Sequence, residues 1–301
     1  MNIKRICYLT VFSCLLVFSS CEKKPKPAEE DEQPQNTNVL KSLNAVKEFA
    51  MISQQFSATV KECGDNVDAS ISGKKQFAKS GENPNIDVEF RNGKWYLKCD
   101  YGDTFMRCQD GFWRKGIVNI ETTGQFVNIG TVMIMTFDNF YQKESLLALQ
   151  YHKLEGTQRI ENIGTNGSMI NFTCKVENGI ITFFSTTNDS DTGKSVQYTE
   201  ETVKNWERGT EICSNHFYIT GEWNGVSSDN VHYTLNANED QPLHYKVCCN
   251  FFQSGVLNVT VDGLIPFTIT YGDETNDTNE CNKKAVLYYP SLVPITIPIN
   301  I

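Results

Sequence analysis

Cysteine supplies most of the reactive side chains in this sequence. Cys213 and His216 are three residues apart, a spacing that could set a thiolate beside an imidazole and activate a nucleophile. A disulfide is the favoured reading of Cys213, because seven more cysteines follow position 21: Cys63, Cys99, Cys108, Cys174, Cys248, Cys249 and Cys281. An even set in an exported chain favours disulfides, but sequence alone does not choose their pairing. No C-x2-C pair is matched by a second, so a structural zinc site is not indicated. Two acidic loops offer oxygen ligands for calcium, through Asp189 and Asp191 in one and Asp273 and Asp277 in the other. The first lacks the distal bidentate Glu of a calcium loop, and both read more simply as solvated turns. His152, His216, His232 and His244 are scattered. No H-E-x-x-H, G-x-S-x-G or phosphate-binding loop is present, and no cofactor is implied. Trp95, Trp113, Trp206 and Trp223 sit in or beside strand-like segments. Exposed, they would suit sugar stacking, although tryptophans on strands more often fill a core.

These residues need elements to position them. Leu40, Leu43, Val46, Phe49, Met51, Ile52, Phe56 and Val60 recur at spacings of three and four, which predicts a helix over 39–61 with Gly64 as its stop. After residue 65 the pattern changes to short runs rich in β-branched and aromatic residues, bounded by Gly, Asn, Asp and Ser. Asn92-Gly93, Asn178-Gly179 and Asp262-Gly263 read as tight hairpin turns. Strands without intervening helices mean antiparallel sheets. Pro294 and Pro298 suit an edge strand. The expected fold is mainly β, with antiparallel sheets in two β-halves and one N-terminal helix packed on the sheet. Its expected divisions are 1–20, 21–38, 39–64, 65–205 and 206–301. The halves are suggested by an echo: Tyr101-Gly102-Asp103 and Tyr271-Gly272-Asp273 each lead through a polar turn to a cysteine, Cys108 or Cys281, and then to a basic residue.

The first segment reads as an export signal. Lys4 and Arg5 precede an apolar run from Ile6 to Phe18, too short for a transmembrane span. Ser19 and Ser20 then lead into Cys21, an order that resembles the bacterial lipobox and makes Cys21 the expected lipidation site. Residues 22–38 hold three prolines and many charges without a large apolar side chain, as a flexible tether would. Of 27 basic residues, Lys4 and Arg5 lie in the leader, which leaves 25 against 36 acidic residues. Such an acidic chain is a poor nucleic-acid binder, and its expected membrane contact is the lipid on Cys21.

The order of several short motifs resembles the uncharacterised cell-surface lipoproteins of Bacteroidota. They are Asp100-Tyr101-Gly102, Cys108, Asp110-Gly111, Arg114-Lys115-Gly116 and Thr136-Phe137-Asp138-Asn139-Phe140-Tyr141. Later come Ile219-Thr220-Gly221, Cys249 with Gly255, Thr270-Tyr271-Gly272 and Cys281. The likeness runs over roughly residues 40 to 290. It implies an anchored, β-rich protein facing outward from the outer membrane, and no particular activity. It also implies a disulfide between Cys249 and Cys281; in the equivalent first-half turn, Cys108 is expected to pair with Cys63, just after the helix. The stretch Gln142–His152 departs from the pattern by its length, and Cys99, Cys174, Cys213 and Cys248 look additional.

The expected function is a binding or structural module at the cell surface, not an enzyme, with an extracellular glycan or protein as partner. The alternative is a glycan hydrolase using paired carboxylates, which leave no sequence signature. The anchor is directly testable: Cys21→Ala should leave the exported protein soluble. Partitioning of that variant into detergent to the same extent as the parent would refute lipidation.

Overall fold

The computed structural model describes residues 59–73, 84–187, 192–247, 249, 252–272, 281, 284–290 and 294–298. The leader, Cys21, the tether, most of the expected helix and all four calcium candidates lie outside them. Fifteen strands form one sheet. They are β1 (Asn85–Arg91), β2 (Lys94–Asp100), β3 (Met106–Arg107), β4 (Trp113–Thr122), β5 (Val132–Lys143), β6 (Gln150–Asn166), β7 (Met169–Ser185) and β8 (Ser195–Glu207). There follow β9 (His216–Val226), β10 (His232–Ala237), β11 (Leu243–Lys246), β12 (Phe252–Val261), β13 (Phe267–Tyr271), β14 (Lys284–Tyr288) and β15 (Ile295–Pro298). Neighbours in the sheet are largely neighbours in the chain, and the paired strands are antiparallel throughout. β3 takes over from β2 beside β4, and β11 takes over from β10 between β9 and β12. β15 ends the order, where Pro298 removes no ladder bond from a central strand.

The strands form because their residues alternate. In β8 the inward positions are Val196, Tyr198, Glu200, Thr202, Lys204 and Trp206, while the residues between them face outward. One continuous core results, to which a helix over residues 59–71 (α1) adds Val60, Cys63 and Val67. Spacings of three and four set these three on one stripe.

Three expectations need correction. Gly64 does not stop the helix, which continues through residue 71. A Cβ there would lie 2.5 Å from the Phe126 ring, so this glycine makes room for close packing. The hydrogen-bonded sheet does not break near residue 205: β8 pairs with β7 and β9 along nearly its whole length, across that boundary. Asn178-Gly179 is not a hairpin turn either. It lies inside β7, where the register slips between Val176 and Gly179.

That last correction explains how the sheet bends. Asn139 and Asn178 adopt left-handed backbone, with φ of 45° and 52°, as an I′ turn would also require. Here each forms a β-bulge, opposite Gly116 on β4 and Gly156 on β6 respectively. Shifts at Lys115/Ile117, Thr136/Phe140, Glu155/Thr157 and Val176/Gly179 carry the irregularity across four successive strands. Aligned bulges raise local twist and bend the sheet.

Gly156→Ala should therefore be costly. Its φ is 115°, and a Cβ would meet the Asn178 carbonyl oxygen at 2.6 Å. A loss of about 1–3 kcal/mol is expected in chemical denaturation. Gly167→Ala, at a φ of 62° in open space, should lose about 1 kcal/mol or less.

Candidate functional site

The tryptophans do not form a joint sugar-stacking surface. Trp206 and Trp223 are buried in the core, and Trp206 donates its indole N–H to Asn215 Oδ1 at 2.9 Å. Trp95 is half-buried, packed on the core and beside Phe90 at 4.8 Å, and Trp113 is half-buried at the start of β4.

Another set of aromatics faces outward. Lys115 on β4 lies opposite Tyr141 on β5, and Tyr151 on β6 lies opposite Phe184 on β7. These residues are half-buried, while the intervening Arg114, Gln142 and His152 point into the core. Tyr151 stacks on Phe184 with ring centres 5.3 Å apart and 12° between planes. Tyr141 sits 6.1 Å from Tyr151 and 5.9 Å from Phe184, and Phe105 meets Tyr151 edge-on at 5.6 Å. The Lys115 ammonium lies 4.5 Å from the Tyr141 ring centre and 5.1 Å from that of Phe105. Lys143 is 4.7 Å from Phe105. Such cation–π contacts fix both rings and ammonium groups at about 0.5–1 kcal/mol each.

The loop between β5 and β6 extends this platform. Leu146, Leu147 and Leu149 are 57%, 87% and 56% exposed. Lys143 Nζ donates to the Leu146 carbonyl, and the Thr186 backbone N–H donates to that of Leu149, which ties the loop to the end of β7. Burial raises the pKa of Glu144 at the loop's start. Four aromatic rings, two ammonium groups and three protruding leucines can stack on a partner's apolar face and donate hydrogen bonds at its edge. The sequence signal for this patch is the unusual length of Gln142–His152, flanked by Tyr141 and Tyr151.

Behind this face, on the core side, lies a charged cluster. Arg114 is fully buried on β4. Its guanidinium grips Asp110 through two bonds of 2.8 and 2.6 Å, donates from Nε to Gln142 Oε1 at 2.7 Å, and ion-pairs with Glu62 on α1. Tyr101 donates its hydroxyl to Glu62 Oε1 at 3.0 Å, and Thr59 donates to Gln142 at 3.3 Å. Donor atoms of Glu62, Cys108 and Asp110 lie within 4.8 Å of one another, close enough for a shared metal ion. The fit is poor, because Arg114 already binds and neutralises both carboxylates. Burial raises the Glu62 pKa to about 7, against the pull of Arg114.

The cysteines divide into two groups. Cys249 and Cys281 are joined, with an S–S distance of 2.02 Å, and Cys213 is also disulfide-bonded. Cys63 and Cys108 are buried thiols, which corrects the pairing expected between them. The Cys108 sulfur lies within 4.8 Å of the Glu62 and Asp110 carboxylates and so belongs to the arginine cluster. Cys99 and Cys174 are buried thiols too, and burial pushes both up to about 12. Thiols so hard to ionise make poor nucleophiles.

The chain matches no protein-family model, and no curated protein or solved structure is significantly similar to it.

Glu62 gives the cluster a testable pH dependence. Its folded pKa of about 7 exceeds the ordinary value of 4.5, so the folded state holds the proton more tightly. The stability this contributes is complete below pH 4.5 and is lost as pH rises through 7. Glu62→Gln removes the titration. Measured by denaturation, the variant should gain on the parent between pH 4.5 and 7 by on the order of 1–3 kcal/mol. A difference independent of pH would contradict this assignment.

Proposed function

We propose that the chain is a binding module tethered outside the cytoplasmic membrane, through lipid on Cys21 and a flexible spacer. It would capture an extracellular protein or glycan on the platform of Tyr141, Tyr151, Phe184 and Phe105. The observation that carries this reading is the pairing of that fixed aromatic surface with three exposed leucines in one loop. Exposing so much apolar surface has no benefit to folding, and contiguous patches of this kind mark interaction sites. Aromatic anchors held by neighbouring side chains lose little freedom on binding. The lysines suit a ligand bearing carboxylate, sulfate or carbonyl groups at its rim. The acidic balance of the whole chain supports a partner other than nucleic acid.

A hydrolase is the rival reading, favoured by one observation. Glu144, next in the chain to Lys143 of the platform, has a pKa raised by burial, as a general acid would.

An array of glycans and extracellular matrix proteins separates the two. The Cys21→Ala chain should be retained on a subset of spots without turnover. Tyr151→Ser combined with Phe184→Ser should weaken that retention by about tenfold or more, as expected for anchor residues. Turnover of an arrayed glycan that Glu144→Gln abolishes would overturn the binding reading. So would retention indifferent to the double substitution.

A further inference from the structure

Two histidines, 28 residues apart in sequence, meet on the outer face of the sheet. β11 runs antiparallel to β9, with His244 opposite Tyr218 and Lys246 opposite His216, so the two imidazoles are diagonal neighbours. His216 Nδ1 lies 2.8 Å from His244 Nε2. The ring centres are 5.0 Å apart and the planes differ by 22°. The centre separation is close to the nitrogen separation plus the two ring radii, so the rings meet edge to edge. An N–H of one points at the lone pair of the other.

The surroundings are well defined. Glu207 on β8 lies opposite His216, and Ser254 on β12 opposite His244. Tyr218 stacks on His244 at 4.9 Å and donates its hydroxyl to Glu207 Oε2 at 3.3 Å. Lys246 is the cation on the same face. The Val247 backbone N–H donates to the Asn215 carbonyl at 3.0 Å, which joins the two histidine-bearing segments. Cys213 and Cys249, both in disulfides, flank the pair in sequence.

We propose that His216 and His244 bind a divalent transition-metal ion of the zinc, nickel or copper class, with Glu207, opposite His216 but with its oxygens not within 4.8 Å of both imidazole nitrogens, turning in as a third ligand. Two imidazoles and a carboxylate select these ions over calcium or magnesium. A tetrahedral ion at 2.0–2.1 Å from each nitrogen needs the two nitrogens about 3.3 Å apart, an opening of about 0.5 Å from the observed pair. Both rings are half-exposed, so each can swing outward. The hydrogen between them leaves by tautomerisation: it moves through solvent to the far nitrogen of its own ring. Both lone pairs then face the ion, without redox change or net loss of a proton. The Glu207 carboxylate offsets the ion's charge, with Tyr218 orienting it from behind. Water completes the coordination.

Calorimetric titration of the full-length, tag-free protein in detergent with zinc chloride tests this, with cobalt(II) absorption reporting geometry. One ion per chain should bind. His216→Gln and His244→Gln keep a polar side chain on the surface and should melt close to the parent temperature. Each should weaken zinc binding by about a hundredfold, and Glu207→Gln by about tenfold. The cobalt complex should show visible ligand-field bands that both histidine variants lose. Failure of zinc, nickel(II) and copper(II) alike to bind would overturn the proposal. Binding undiminished in both histidine variants would also overturn it. The readout involves neither the aromatic platform nor its ligand, so this proposal stands or falls independently of the binding function.

Discussion

A fully buried guanidinium is the constraint around which the N-terminal part of this structure is organised. Stripped of water, the charge of Arg114 is tolerable only if nearly every N–H finds an acceptor and the charge is matched. The chain meets that demand from three places: Glu62 on α1, Asp110 in the turn between β3 and β4, and Gln142 on β5. Satisfying one side chain thereby docks the helix on the sheet and fixes the short β3–β4 hairpin. Tyr245 on β11 has Asp110, Arg114 and Glu144 as electrostatic neighbours, so the sheet has curled far enough to bring β11 over β4. A second buried pair, Lys204 with Glu200 at 3.0 Å, sits further along the same core. Removing one member of either pair would strand the other charge away from water, so each pair restricts how the core can be repacked.

The curl comes from the backbone. A sheet of this many strands cannot enclose a single core if it stays flat. Bulges at Asn139 and Asn178, each accepted by a glycine on the next strand, let β4 to β7 bend together. The same irregularity separates outward from inward positions. Beyond the bulges, Tyr141, Tyr151 and Phe184 emerge on the outside while Phe140, Leu154 and Ile181 stay in the core. The platform and the arginine cluster are thus the two faces of one bent region.

The outer face carries two separate groupings. Around β4 to β7 it is aromatic, apolar and cationic. Around β8, β9 and β11 it offers two imidazoles and a carboxylate, on segments bounded by disulfide-bonded cysteines. A sheet is well suited to this division, because outward positions on neighbouring strands can be chosen with little effect on the core beneath.

Alternation and composition are local properties, so they could be read from the sequence. The β-rich class, the strand runs after residue 84 and the turns at Asn92-Gly93 and Asp262-Gly263 follow from period-two patterning and turn chemistry. Asn178-Gly179 shows the limit. A left-handed Asn followed by Gly suits a hairpin and a bulge equally, and only the pairing of β7 with both β6 and β8 decides between them. Gly64 likewise reads as a helix stop until the Phe126 ring is seen against it. The Cys249–Cys281 bond was expected on resemblance alone. Cys63 and Cys108 instead stay buried thiols, with Cys108 beside Glu62 and Asp110, a placement that depends on where α1 docks. Neither functional grouping could be found by spacing. Tyr141 meets Tyr151 and Phe184, and His216 meets His244, through the registers of strands separated by loops or by other strands. Sequence determines which face each side chain takes along its own strand. Register between strands, set by the bulges and by the closing of the core, decides which side chains share that face.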